Sequence, residues 1–240
     1  MNHPYDLAFV RYVASALQVL MREPEQAEAW AAQTTPVSDE QGFPLWAADG
    51  RITLGWARAH RGRVEERVAL IREDVRRAAA VGTRIGMTAF LTRLAEALAV
   101  GEAFAEALAT IEDALRANPE EVVYRSGVLY MLGTLRLRIG EVETAEADFR
   151  KALTIAHIIG AKSYEIRAAT TLARLMHARG EVAGARELLA PLYASFNEGF
   201  DTSELKDAKA LLSELTSKLV FVRALNRCHF LSPNLPRELS

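Results

Sequence analysis

The sequence predicts an all-α superhelical array, with five helical hairpins stacked in series and a C-terminal helix closing the stack. Three observations carry this. A small residue in an apolar setting recurs as Ala16, Gly55, Ala95, Gly133 and Ala173, at separations of 39, 40, 38 and 40 residues. Turn residues recur with it, at Glu23-Pro24, Gly62, Gly101-Glu102, Gly140 and Gly180. No segment of any length shows the two-residue alternation of a half-buried strand. A constant period in this range marks a stack of helix pairs, each burying its apolar face only against its neighbours.

The first hairpin spans 3–42. Tyr5 to Leu20 is apolar over most of its surface, and Pro24 suits the first turn of the next helix, where its missing N–H has no partner to lose. Pro36 is expected to interrupt that second helix, with Thr35 capping a short continuation. The second hairpin, 43–82, turns at Gly62 and places Arg67 and Asp74 where the fourth has Ala145 and Ala152. Two long polar residues at close-contact positions predict looser packing or a shifted register. The third, 83–121, ends at Asn118-Pro119, since proline disfavours a helical residue before it. The fourth, 122–160, is the most regular, and the fifth spans 161–200. Asp201 and Glu204 form an Asp-x-x-Glu capping pattern that opens a last helix over 201–219, with Leu205, Ala208, Leu212, Leu215 and Leu219 on one stripe. Residues 1–220 thus read as one repeat domain and 221–240 as an irregular tail.

Half of the 240 residues are hydrophobic and a quarter charged, so a packed core is within reach. A net charge of −2 gives no basic footprint for nucleic acid. No apolar run reaches the length of a membrane span, and a cytoplasmic protein is the expectation. The single cysteine, Cys228, excludes an internal disulfide framework, and its neighbour His229 adds no metal-ligand geometry. No phosphate loop, nucleophile elbow or paired-histidine motif occurs, so no enzyme activity, catalytic residue, metal or cofactor is expected. His157 reads as a packing residue, and Glu65-Glu66 and Glu120-Glu121 as helix starts. The arginines between Arg61 and Arg77 are matched by Glu65, Glu66, Glu73 and Asp74, which predicts a solvated, self-paired face.

Leu132-Gly133, Gly140, Ala145, Phe149 and Ala152, and again Leu172-Ala173, Gly180, Ala185 and Leu189, resemble the tetratricopeptide repeat, although the period exceeds the usual 34 residues of that repeat. The stretches Gly42-Phe-Pro-Leu-Trp46, Gly55-Trp-Ala-Arg-Ala59, Ala145-Glu-Ala-Asp-Phe-Arg150, Arg167-Ala-Ala-Thr-Thr-Leu-Ala-Arg174 and Glu198-Gly-Phe-Asp-Thr-Ser-Glu-Leu-Lys206 resemble the C-terminal region of large bacterial signalling proteins. In those proteins a cyclase-like or DNA-binding domain precedes a predicted ATPase module, and tetratricopeptide-like repeats finish the chain. The resemblance implies a repeat region alone, without the cyclase and ATPase parts.

In this repeat class the first helices line the concave surface. Stepping by the helical period from the small residues places Ile52, Trp56 and His60 there, then Thr92 and Glu96, then Tyr130, Thr134 and Arg138, then Arg167, Thr170, Arg174 and His177. The expected function is a protein-interaction or regulatory module that binds a peptide, partner domain or small anionic effector. Arg138, Arg167 and Arg174 beside Tyr130 are its sharpest site. The alternative is a structural piece of a longer array that self-associates as a homodimer through an uncapped N-terminal face.

Overall fold

The computed structural model describes residues 3–62 and 64–230, with side chains through residue 217. Its regular structure is eleven α-helices: α1 (Pro4–Leu20), α2 (Pro24–Glu40), α3 (Pro44–Ala59), α4 (Val64–Ala80), α5 (Met87–Val100), α6 (Phe104–Ala117), α7 (Arg125–Arg138), α8 (Val142–Ile158), α9 (Lys162–Ala178), α10 (Val182–Ala194) and α11 (Ser203–Phe230). Among the described residues there is no strand. The fold is all-α and built of tetratricopeptide-like hairpins. No helix of the described residues is long and apolar enough to cross a membrane.

Each hairpin turn contains one left-handed residue, in order Arg22, Gly62, Glu102, Gly140 and Gly180, spaced 40, 40, 38 and 40 apart. The hydrogen bonds around it are repeated. Glu23 N donates to Gln18 O, Ala103 N to Leu98 O, Glu141 N to Arg136 O and Glu181 N to Met176 O, closing the helix ends with the same six-residue loop. This corrects the register of the first hairpin. The residue seven before Arg22 is Ser15, which is 1 % exposed, so Ser15 and not Ala16 occupies the close-contact position.

The chain divides into two compact units, Met1–Gly160 with α1 to α8 and Ala161–Ser240 with α9 to α11. In the first unit α1, α3, α5 and α7 touch one another in succession, whereas α2, α4, α6 and α8 touch only first helices. The layer whose members are in contact follows the shorter arc, so α1, α3, α5 and α7 line the concave side of this unit.

The close crossings sit where glycine was expected. A Cβ added to Gly133 would lie 2.9 Å from Phe149 Cε1 and 3.0 Å from Ala145 O. One added to Gly55 would lie 2.5 Å from Ile71 Cγ1 and 3.6 Å from Arg67 O. The α3–α4 crossing therefore keeps the register of α7–α8 and is slightly wider. Asp74 is accommodated as a buried carboxylate 2.9 Å from Arg51 Nε, while Arg51 Nη1 reaches Asp39 at 2.8 Å. One guanidinium of α3 thus joins α2 to α4.

Pro36 does not interrupt α2, which runs unbroken to Glu40. It stands on the exposed side and Ala32, whose carbonyl loses its donor, is exposed too, so water can replace the missing bond. Ala27, Ala31, Thr34 and Ser38 on the buried side hold the helix in place. Glu120 and Glu121 lie in the α6–α7 linker and not at a helix start, because α7 opens only at Arg125. His157 is exposed on α8 and is no packing residue. The arginine-rich stretch is self-paired only in part: Glu73 takes Arg76 and Arg77 and Glu66 takes Arg67, but Arg72 pairs with Glu106 of α6, Arg61 with Glu28 of α2, and Asp74 is buried against Arg51.

In the second unit α9 and α10 form the last hairpin and α11 packs on both. Leu205, Ala208, Leu211 and Leu215 are the buried stripe of α11. The helix opens at Ser203, beyond Asp201, and the Glu204 carboxylate meets Arg167 and Ser203. It continues to Phe230, past the point where the apolar period ends. Residues 231–240 and the Cys228 and His229 side chains lie outside the described residues.

Candidate functional site

The first unit carries eight of the expected residues on or directly after three successive first helices, of which Ile52 is fully buried and Thr92 half-buried. Trp56 of α3 donates its indole N–H to Glu96 Oε2 of α5 at 2.5 Å, which fixes the carboxylate and ties two repeats together. Trp56 is only 3 % exposed, so it is the floor of the surface and not a contact residue. His60, one turn later and exposed, lies with its ring centroid 4.5 Å from the indole at a 45° tilt and donates from Nδ1 to Trp56 O at 2.9 Å. On α7, the half-buried Tyr130 ring lies 5.4 Å from Phe149, with the Arg22 guanidinium 6.0 Å from its centroid. Thr134 donates to Tyr130 O at 2.9 Å. Arg138 ends the row, exposed and without an ion-pair partner among the described residues.

The other four belong to the second unit. Arg167 is largely buried and forms an ion pair with Glu204 of α11, its guanidinium also 5.3 Å over Tyr164. Thr170 is buried and donates to Ile166 O at 2.7 Å. Arg174 is half exposed, 3.9 Å from Asp207. His177 Nε2 is buried with no hydrogen-bond partner among the described residues. Arg167 therefore clamps α9 to α11, and the three arginines are divided between the units, Arg138 in the first and Arg167 and Arg174 in the second.

A polar network that the sequence reading missed runs through the first unit. Asp49 of α3 and Arg93 of α5 form an ion pair in which the side chains are 3 % and 7 % exposed. Tyr12 of α1 and Tyr124, just before α7, complete it. Burial raises the Tyr12 hydroxyl above the ordinary tyrosine range, and the Asp49 carboxylate and Tyr124 push it further, so Tyr12 remains a neutral phenol. Burial works against the Arg93 charge, but Asp49, by charge and hydrogen bond, holds the guanidinium more firmly protonated than usual. The signal was present in the repeat: Asp49 lies six residues before Gly55, as Arg167 lies six before Ala173. Among the described residues no three His, Cys, Asp or Glu side chains come together as a metal site.

No protein-family model matches the sequence, and no curated protein matches it. Solved structures do. BtubC of P. vanneervenii is similar over 90 % of this chain and 96 % of its own, with a TM-score of 0.61 at 16 % identity. A putative kinesin light chain of Podosopora anserina with nearly identical TPR-like repeats covers 81 % and 96 %, at 0.54 and 19 %. A Rap protein complexed with Competence and Sporulation Factor covers 91 % of this chain and 66 % of its own, at 0.61 and 11 %. At these identities the likeness is one of fold, and it is with tetratricopeptide-like repeat proteins.

Proposed function

We propose that this protein is a non-catalytic interaction module and that the concave side of its first unit receives a peptide. The observation that carries this is the row formed by Glu96 of α5 and Tyr130, Thr134 and Arg138 of α7, with Glu96 itself held in place from α3 by Trp56. Preordered side chains lose little freedom on binding, and adjacent repeats repeat their spacing along an extended chain. The Rap structure with the Phr* peptide, a fold neighbour at a TM-score of 0.61, is in keeping with this reading. The sequence blocks resembling bacterial signalling proteins suggest that such a module serves a regulator, with Arg138 as the contact for an acidic group or a small anionic effector.

The test is selection of peptides from a displayed random library on the full chain, repeated with Thr134→Trp. The indole would fill the row without touching the core. Loss of binding with an unchanged unfolding midpoint supports the assignment. Equal binding by the variant removes it.

A second reading rests on α1. Val10, Val13 and Leu17 are 60 %, 45 % and 50 % exposed on the face opposite buried Ala8 and Ser15. An apolar helix face of this kind suits a second copy of the same helix across a two-fold axis. A dimer by sedimentation that dissociates on Val13→Glu plus Leu17→Glu would support self-association, and a monomeric wild type would exclude it.

A further inference from the structure

The arginine cluster read from the sequence pointed to an anionic ligand, but the half-buried charge left over on the concave side of the first unit is a carboxylate, with Arg138 an exposed cation at the end of the row. The buried and half-buried carboxylates of the first unit are almost all matched. Asp49 faces Arg93, Asp74 faces Arg51, and Asp148 faces Arg136. Among the described residues only Glu96 and Glu121 in this class have no cation, and Glu121 sits in the α6–α7 linker. Glu96 stands in the row itself. Its Oε2 accepts from Trp56, and its Oε1 has no partner among the described residues and is not sealed from solvent.

A carboxylate drawn partly out of water and held by a single neutral hydrogen bond keeps most of its negative potential, and a concave wall concentrates it. The group that satisfies it is a donor carrying positive charge. The neighbours are suited to such a guest. The buried Trp56 indole supports the carboxylate from below, and the exposed His60 ring lies 4.5 Å from that indole. One repeat further on, the Tyr130 ring already has a guanidinium over it, from Arg22. Stems of lysine and arginine pack well on such rings.

We infer that Glu96 is the anchor for a basic side chain, lysine or arginine, of the peptide that binds the first unit. This rests on the peptide-binding reading above and assigns its ligand class. Glu96 thereby has two roles, as acceptor for Trp56 and as partner for the incoming cation. Glu96→Gln separates them, since the amide oxygen can still accept from the indole while the charge is gone.

The experiment uses the full chain and dodecapeptides from a displayed random library. Wild type should select lysine or arginine at one aligned position. A synthetic selected peptide, followed by fluorescence anisotropy, should lose about tenfold in affinity with Glu96→Gln. It should lose a similar factor when its basic residue is replaced by norleucine, with no further loss when both changes are combined. Glu96→Lys should shift the selection to aspartate or glutamate. Selected peptides without a basic preference, or one that survives Glu96→Gln, would overturn the assignment and leave peptide binding intact. Failure of wild type to select any peptide would overturn both. The norleucine peptide measured on wild type reads the same pair, so the result stands even where a Glu96 variant does not fold.

Discussion

Asp49 and Arg93, 44 residues apart in the sequence, form an ion pair that joins the second and third repeats inside the first unit. Neither side chain has water to fall back on, so the pair is worth most as a pair. Asp49→Ala or Arg93→Ala alone leaves one buried charge and should cost about 3–5 kcal/mol, whereas Asp49→Leu with Arg93→Met should cost far less or stabilise. Denaturant unfolding of the four proteins checks this, and strictly additive single and double losses would contradict it.

Glycine at the helix crossings separates backbone from side-chain obstruction. At Gly133 the obstacle includes Ala145 O, part of the backbone of α8, so Gly133→Ala should destabilise by about 1–3 kcal/mol despite the better helix propensity of alanine. At Gly184 a Cβ meets only Met176 Cε, the free end of a flexible side chain. Gly184→Ala should therefore gain on the order of 0.5–1 kcal/mol. Thermal unfolding of the two variants should move in opposite directions.

Glu102 occupies with a φ of 59° the left-handed turn position that Gly62, Gly140 and Gly180 fill elsewhere. A side chain there is strained by roughly 1 kcal/mol. Glu102→Gly should raise the unfolding midpoint, and Gly140→Glu should lower it.

Glu28 is held below the usual carboxylate range, first by the hydrogen bond from Arg58 and then by that from Arg61. A depressed carboxylate stabilises the fold above its unfolded-state pKa, and the stabilisation is lost as pH falls through the folded value. The unfolding midpoint should fall on acidification from about pH 5 downward, and Glu28→Gln should flatten that slope. An unchanged slope would contradict this.

Period and turn were legible because both are local: a helix crossing needs a small residue, and a left-handed turn favours glycine. Register failed where that code was broken. Arg22 stands in the left-handed position without being glycine, so Ala16 was taken for Ser15. Pro36 misled because a proline breaks a helix only when its lost hydrogen bond cannot be replaced, and exposure is not written in the local sequence. The Arg167–Glu204 pair was hidden for a different reason. Its members lie 37 residues apart on α9 and α11, and only packing shows that the arginine is occupied. The eight positions of the first unit could be placed on successive first helices from the period alone, but not their exposure or pairing: Ile52 and Trp56 proved buried and Glu96 an unmatched charge.

Arg51 reaches Asp39 on one side and Asp74 on the other, and Arg93 carries the linkage on to α5. A stack of hairpins pulled from its ends would ordinarily peel away one hairpin at a time. With these links in place, α3 cannot part from α4 or from α5 without stripping the partner from a buried carboxylate, Asp74 or Asp49. Under load this stretch should release in one large event, a mechanical knot of polar origin within an otherwise greasy stack.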